Sequence, residues 1–333
     1  MSRRPALLFA LLCTLSCSRA DLYAITAAAG GHSAGGAGGA GGAGGAGGAG
    51  GANSAGSTSG GASAEGGSAI CPPSPTNPVD STQTIVVGGD SRSFIMHVPL
   101  GLDASKPTPL VLDFHGLGES SASELSSSPY PGYLDAEGVV MAFPNGLKGP
   151  AGAAWNVGPC CVGNVDDVAF ARAVVARVRQ LACIDPKQIY AVGVLTGGGM
   201  AHYVACQAAD VFAAVAPAAF DLLQENVADC TPSRPVSVVM FRGTADARVP
   251  YAGGASSVVP NMPVTFLGAR GSFERWAEID GCTGAPSAPD EKGCSRFSAC
   301  AGNAEVVLCS KQDGREEPGD PTIAWPVLSR HTL

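Results

Sequence analysis

Gln188-Ile189-Tyr190-Ala191-Val192-Gly193-Val194-Leu195-Thr196-Gly197-Gly198-Gly199 decides how the folded part of this chain is built. The apolar run from Gln188 to Leu195 has the length of a buried strand, and Gly198 to Ala208 reads as the helix that follows it. A strand passing through a sharp glycine-flanked turn directly into a helix is a unit of a parallel α/β sheet. The side chain at the centre of that turn, Leu195, is then presented at the carboxyl end of the sheet, where open α/β sheets place their ligand sites.

Working outward, Pro109 to Phe114, Gly138 to Phe143, Phe212 to Ala216 and Val236 to Phe241 are further short apolar runs. Most are separated by helical stretches, as buried parallel strands are. Thr84 to Val87 and Ser93 to Val98 alternate around Gly88-Gly89-Asp90 and read as an opening hairpin. Asp166 and Asp167 are placed to cap a helix over Val168 to Gln180, and Ser272 to Asp280 is amphipathic. Because helix N-termini attract acids, the Asp166-Asp167 pair reads as a cap before it reads as an acid-base pair. The expectation is an α/β fold with a mostly parallel central sheet and helices on both faces, forming a single domain over 71-333.

The first 70 residues are different in kind. Met1-Ser2-Arg3-Arg4 followed by the apolar Ala6 to Leu12 has the order of an export signal over 1-20. The apolar run is too short to span a bilayer. Leu15-Ser16-Cys17 resembles a lipobox, which makes Cys17 a lipidation site; cleavage after Ser18-Arg19-Ala20 is the competing reading. Residues 21-70 form a low-complexity Gly/Ala/Ser linker, with 19 of the chain's 46 glycines between Gly30 and Gly67. Such a composition cannot bury a face and reads as a disordered tether with an average reach of roughly 35 Å. Membrane contact is therefore expected through a lipid anchor only.

Ten cysteines remain once Cys13 and Cys17 are set aside: Cys71, Cys160, Cys161, Cys183, Cys206, Cys230, Cys282, Cys294, Cys300 and Cys309. An even number in an exported domain reads as a disulfide framework whose pairing the sequence leaves open. No C-x-x-C occurs and no histidine lies near residues 282 to 309, so no metal site is expected, nor any cofactor. A formal net charge of −8 with 14% charged residues offers no basic stripe and argues against a nucleic-acid partner.

Several short motifs occur in order: Phe114-His115-Gly116-Leu117-Gly118, Trp155-Asn156-Val157-Gly158-Pro159-Cys160-Cys161, Val165-Asp166-Asp167, Cys183-Ile184-Asp185-Pro186, Ile189-Tyr190-Ala191-Val192-Gly193, Ala201-His202, Gly243-Thr244-Ala245-Asp246 and Val249-Pro250-Tyr251. Together, over about residues 90 to 330, they resemble the polyhydroxybutyrate depolymerase and feruloyl esterase family. The resemblance implies an α/β-hydrolase fold and ester hydrolysis by Ser, Asp and His on polyester or hydroxycinnamoyl-ester substrates.

Carried over by position, the family nucleophile falls on Leu195, the family acid on Asp246, and the family histidine on Arg315, before Glu316-Glu317-Pro318. Only the acid is retained. The family order is nucleophile, acid, histidine, and the sole histidine after Asp246 is His331, three residues from the end. The resemblance assigns the oxyanion hole to backbone at Thr196 and at the turn of Gly116 and Leu117, and a pocket position to Trp155. Thr196 carries a hydroxyl one residue past the apex and is the remaining nucleophile candidate; His115 and His202 are the base candidates, each with a structural reading beside it, as a buried core position stands beside the pocket one for Trp155. An Asp246 without its imidazole calls for another partner, and Arg315 is the first candidate, with Arg242 the second.

Removing nucleophile and base from such a triad leaves roughly 10³ to 10⁴ over water. The first reading is therefore an exported or lipid-anchored relative that binds an ester, aromatic or glycan ligand, small or polymeric, without canonical hydrolysis. The alternatives are an active carboxylic ester hydrolase with a non-standard residue and a structural interaction module of the envelope.

Overall fold

The computed structural model describes residues 71–72, 80–257, 259 and 261–333. The expectations for the export signal, Cys13, Cys17 and the tether lie outside them. The central sheet has nine strands: β1 (Ser81–Val87), β2 (Asp90–His97), β3 (Thr108–Phe114), β4 (Val140–Pro144), β5 (Ile184–Val194), β6 (Ala214–Ala218), β7 (Ser237–Gly243), β8 (Cys294–Phe297) and β9 (Val306–Lys311). Their spatial order is β1-β2-β4-β3-β5-β6-β7-β9-β8. The run from β4 through β3, β5, β6 and β7 to β9 is parallel, and antiparallel pairs close both edges.

The central strands β3 to β7 are largely buried on both faces, and their alternation sorts side chains to opposite layers. Leu110, Leu112, Ile189, Ala191, Val238 and Met240 join one core, with α3 (Asp167–Leu181), α4 (Thr196–Gln207) and α5 (Gly268–Ile279) packed on it. Val111, Tyr190, Val192, Val239 and Phe241 join the other, against α2 (Tyr130–Leu134) and α6 (Pro321–Leu328). A further short helix, Ser121–Ser127, follows β3. This is the mostly parallel sheet with helices on both faces that the strand pattern called for, and the α/β-hydrolase fold that the resemblance implied. Among the described residues no helix is long and apolar enough to cross a membrane.

Local chemistry sets the joints. Asp166 caps α3 by accepting from Ala169 N–H at 2.8 Å, whereas Asp167 is buried and accepts from Arg92 Nη2 at 2.7 Å and Asn156 N–H at 2.7 Å. The acid pair is thus a cap and a buried tie from β2 to α3. All ten cysteines pair, as Cys71–Cys183, Cys160–Cys161, Cys206–Cys230, Cys282–Cys300 and Cys294–Cys309. The last joins directly opposed residues of β8 and β9.

The β5-to-α4 joint is the tightest. A Cβ on Gly197 would collide with the carbonyl of Phe114 at the end of β3, and one on Gly198 with the carbonyl of Ala218 at the end of β6. The helix starts pressed between its neighbouring strands, with no room for side chains on the inner side of its first turn. Gly197→Ala should lower stability by about 3 kcal/mol or more, since backbone must shift to accept it; a melting temperature within a degree or two of wild type would contradict this packing.

Candidate functional site

The same joint forces Leu195 into φ 53°, ψ −124°, a sparsely populated backbone region that costs of order 1–3 kcal/mol for a residue with a side chain. Two hydrogen bonds hold it: Leu195 N–H donates to Ala218 O at 3.0 Å, and Gly199 N–H donates to Leu195 O at 3.0 Å. The strained elbow is therefore present, with an isobutyl group at its apex. Leucine has no lone pair with which to attack a carbonyl carbon.

Across from the elbow lies the loop after β3. Trp155 donates its indole N–H to His115 O at 2.9 Å from within the core. Gly146 N–H donates to His115 Nε2 at 2.9 Å, so the ring's hydrogen sits on Nδ1, facing Gly116 O at 2.7 Å. Burial lowers the imidazole's basicity, and both nitrogens are committed. His115 is a neutral brace for the loop. Trp155 braces it from behind and does not line the site; of the two readings open to it, pocket or core, the fold takes the core, where a tryptophan with a satisfied N–H packs best.

Gly116 N–H is taken by Glu119 Oε2 at 2.9 Å, whereas Leu117 N–H and Thr196 N–H have no protein acceptor among the described residues. Leu117, Leu195, Thr196, Phe220, Arg248 and Val249 line a half-open cavity of about 160 Å³. Thr196 is buried, and its Oγ1 has no hydrogen-bond partner. Three of the residues named from sequence thus meet at one cavity, and Gly116 lies against the Leu195 side chain at its edge.

Asp246 lies just after β7 and accepts from Arg248 N–H at 2.9 Å and Val249 N–H at 3.0 Å through Oδ1, so it positions two cavity residues. Its expected arginine partner is the wrong one. Arg315 is exposed and joins no ion pair among the described residues; its loop meets the segment after β7 through backbone, Ala245 N–H donating to Gly314 O at 2.8 Å. Arg242 takes the role from inside the sheet. Fully buried, it meets the Asp221 carboxylate through Nη1, donates to Val249 O at 2.6 Å through Nη2, and comes within 3.9 Å of Asp246 Oδ2. Burial pushes Asp221 up to about 6 against the pull of Arg242.

No histidine among the described residues serves Asp246. His97 lies between Asp80 and Asp135 at 2.6 and 2.8 Å. His202 accepts the Trp276 indole N–H at 3.0 Å on Nδ1, and burial pushes its imidazole down to about 3. His331 contacts Glu305 at 3.3 Å, and its carbonyl accepts from Tyr190 Oη, part-way along β5 and away from the Leu195 end. His32 lies outside the described residues.

Sequence reasoning missed Asp221 and Glu119. Asp221 closes the apolar stretch after β6, and an acid in such a stretch was the available signal. Glu119 had none. A second buried acid group supports the loop from below: Asp113 accepts from Ser128 Oγ at 2.6 Å and faces Glu124. Burial pushes Asp113 up to about 7, and burial together with the Asp113 charge pushes Glu124 up to about 10.

Two expectations follow. Both Asp113 and Glu124 keep protons in the fold that the unfolded chain gives up near pH 4, so their contribution is complete below that value and is lost as pH rises. The loss reaches at most about 1.4 kcal/mol per pH unit per retained proton. Melting temperature should fall from pH 5 to pH 8, and Glu124→Gln should flatten that slope; an unchanged slope counts against the shared-proton arrangement. Arg242→Ala should cost about 3 kcal/mol or more by leaving buried carboxylates unpaired, with Arg315→Ala near zero; urea titrations giving the reverse order would refute the assignment.

No family model matches the sequence. The chain is 42% identical over 246 residues to feruloyl esterase B of Piromyces equi, covering 73% of this chain and 46% of that protein. It is 29% identical over 173 residues to feruloyl esterase C of Emericella nidulans, covering 50% of this chain and 59% of that one. The chain thus spans about half the length of these curated relatives. Among solved structures, acetyl xylan esterase from Aspergillus awamori superposes with a TM-score of 0.54 at 13% identity, over 74% of this chain and 98% of that chain, a likeness of fold. The chain has the α/β-hydrolase fold, and feruloyl esterases are among its curated relatives.

Proposed function

We propose that this protein is a non-hydrolysing relative of the carboxylic ester hydrolases that holds an ester, aromatic or glycan ligand in the elbow cavity. The observation that carries the reading is a leucine at the strained apex, with Asp246 turned to backbone N–H groups and a buried arginine instead of an imidazole. Acyl transfer needs a nucleophile and a base to take its proton. Neither stands at the cavity, while its walls and open N–H donors persist. Five disulfides among the described residues fit an oxidising compartment. Export, by cleavage or by lipidation of Cys17, belongs to this proposal.

One observation favours an active ester hydrolase as the second reading: Thr196, next to the elbow apex, is a cavity residue whose hydroxyl has no hydrogen-bond partner. Purified protein assayed with methyl ferulate and a short-chain p-nitrophenyl ester decides between them. The expected outcome is turnover several orders of magnitude below that of a triad esterase, with no rise in Leu195→Ser, which restores the hydroxyl without a base. Wild-type turnover abolished by Thr196→Val would overturn the first reading in favour of the second. Failure of any ester, aromatic acid or sugar to bind would leave the envelope module.

A further inference from the structure

We infer that Asp80, His97 and Asp135 form a proton-operated latch on the edge of the sheet, which clasps the start of β1 to the end of α2 while the imidazole is charged and releases Asp80 when it is neutral. The latch is separate from the elbow. His97 pairs with Met141 near the start of β4, whereas Leu195 follows the end of β5, in the same parallel set of strands.

The geometry admits one protonation state. His97 closes β2 and lies across from Asp80, the residue before Ser81, which is itself the partner of Met96. Its Nδ1 lies 2.6 Å from Asp80 Oδ1 and its Nε2 lies 2.8 Å from Asp135 Oδ1. A neutral imidazole has one N–H and one lone pair, so it donates to one carboxylate and turns its lone pair on the other. Only the imidazolium donates to both. The remaining neighbours bring no competing charge to the ring. Met141 on β4 is uncharged, Glu137 accepts from Trp325 Nε1 at 3.3 Å, and Asp103 and Lys106 in the loop before β3 pair with each other at 2.8 Å.

The two carboxylates are not held equally. Asp135 is fixed through its backbone, its N–H donating to Pro131 O at 3.0 Å and its carbonyl accepting from Gly138 N–H at 3.2 Å. The Asp80 side chain is 52% exposed and has no other hydrogen bond among the described residues, so it is the one that leaves. Burial works against the charged ring, but the contacts with Asp80 and Asp135 outweigh it and raise the imidazole above its ordinary 6.5. The clasp is therefore complete below the unfolded chain's value and is lost as pH rises through the folded one. β1 has β2 as its one strand neighbour, so the pairs Ser81–Met96 and Thr82–Ile95 open first once Asp80 is free.

The test is hydrogen–deuterium exchange of the full, disulfide-intact chain at about pH 5.5 and about pH 8.5, corrected for intrinsic rates, beside an NMR titration of the histidine rings. Amides at the start of β1 should exchange about fivefold faster at the higher pH, the scale of one part-exposed ion pair. His97→Gln, with a single donor group, should show the faster rate at both values. Asp80→Asn should keep the slower rate at both, because its amide donates to the neutral ring's lone pair while Nε2–H serves Asp135. The same substitution leaves Asp113 and Glu124 in place, so it separates the latch from the global loss of stability with pH. The ring signal missing from His97→Gln identifies His97, and its midpoint should lie above 6.5 and fall in Asp80→Asn. A wild-type midpoint at or below 6.5, protection of β1 that does not change with pH, or an equal loss in Asp80→Asn would each overturn the latch.

Discussion

The contact between Gly197 and the Phe114 carbonyl governs what the rest of the site can be. It fixes how closely α4 approaches the end of β3, and that approach drives Leu195 to a positive φ. The same approach brings Thr196 N–H opposite the Leu117 loop. The elbow is imposed by packing between secondary-structure elements and does not depend on the residue at its apex. Strain ordinarily associated with a reactive side chain therefore persists where there is none. The glycines, not the apex, enforce the geometry.

Electrostatics beneath the cavity follow from the missing imidazole. Asp246 near the end of β7 has its Oδ1 satisfied by backbone and its Oδ2 facing a buried region. A buried carboxylate needs a counter-charge, and a guanidinium rooted in the sheet supplies one to Asp246 and Asp221 together. Arg242 also grips the Val249 carbonyl, so the charge cluster and the cavity wall are one assembly. An imidazole on Asp246 Oδ2 would have to displace Arg242 from that cluster.

Much of this was legible before any coordinates. β3, β5, β6 and β7 are short apolar runs because both their faces are buried, and α3 announces itself through Asp166. Less visible were β8, four residues of mixed polarity, β9, whose apolar run is only Val306-Val307-Leu308, and α6, which carries Pro326 inside it. β5 begins at Ile184, several residues before its apolar run, because Cys183 and Ile184 already pair with Thr108. Leu195, Thr196 and Leu117 could be placed because the elbow is local in sequence. The Arg242 partnership could not, since Asp221, Arg242 and Asp246 meet only through the spacing of adjacent parallel strands. Trp155 illustrates the same limit: a motif fixes its loop but not which side of the loop its ring takes.

The Cys71–Cys183 bond has a mechanical meaning as well. Cys71 is the first of the described residues, and Cys183 immediately precedes β5, the strand at the middle of the sheet. β1 is the edge strand and the first to follow Cys71, so without the bond a pull on the chain before residue 71 would act on β1 and peel it away one pair at a time. With the bond, tension passes through sulfur to the central strand and leaves Asp80 onward slack. Under oxidising conditions the sheet would have to shear as a whole to yield; in a reducing one it could unzip from its edge.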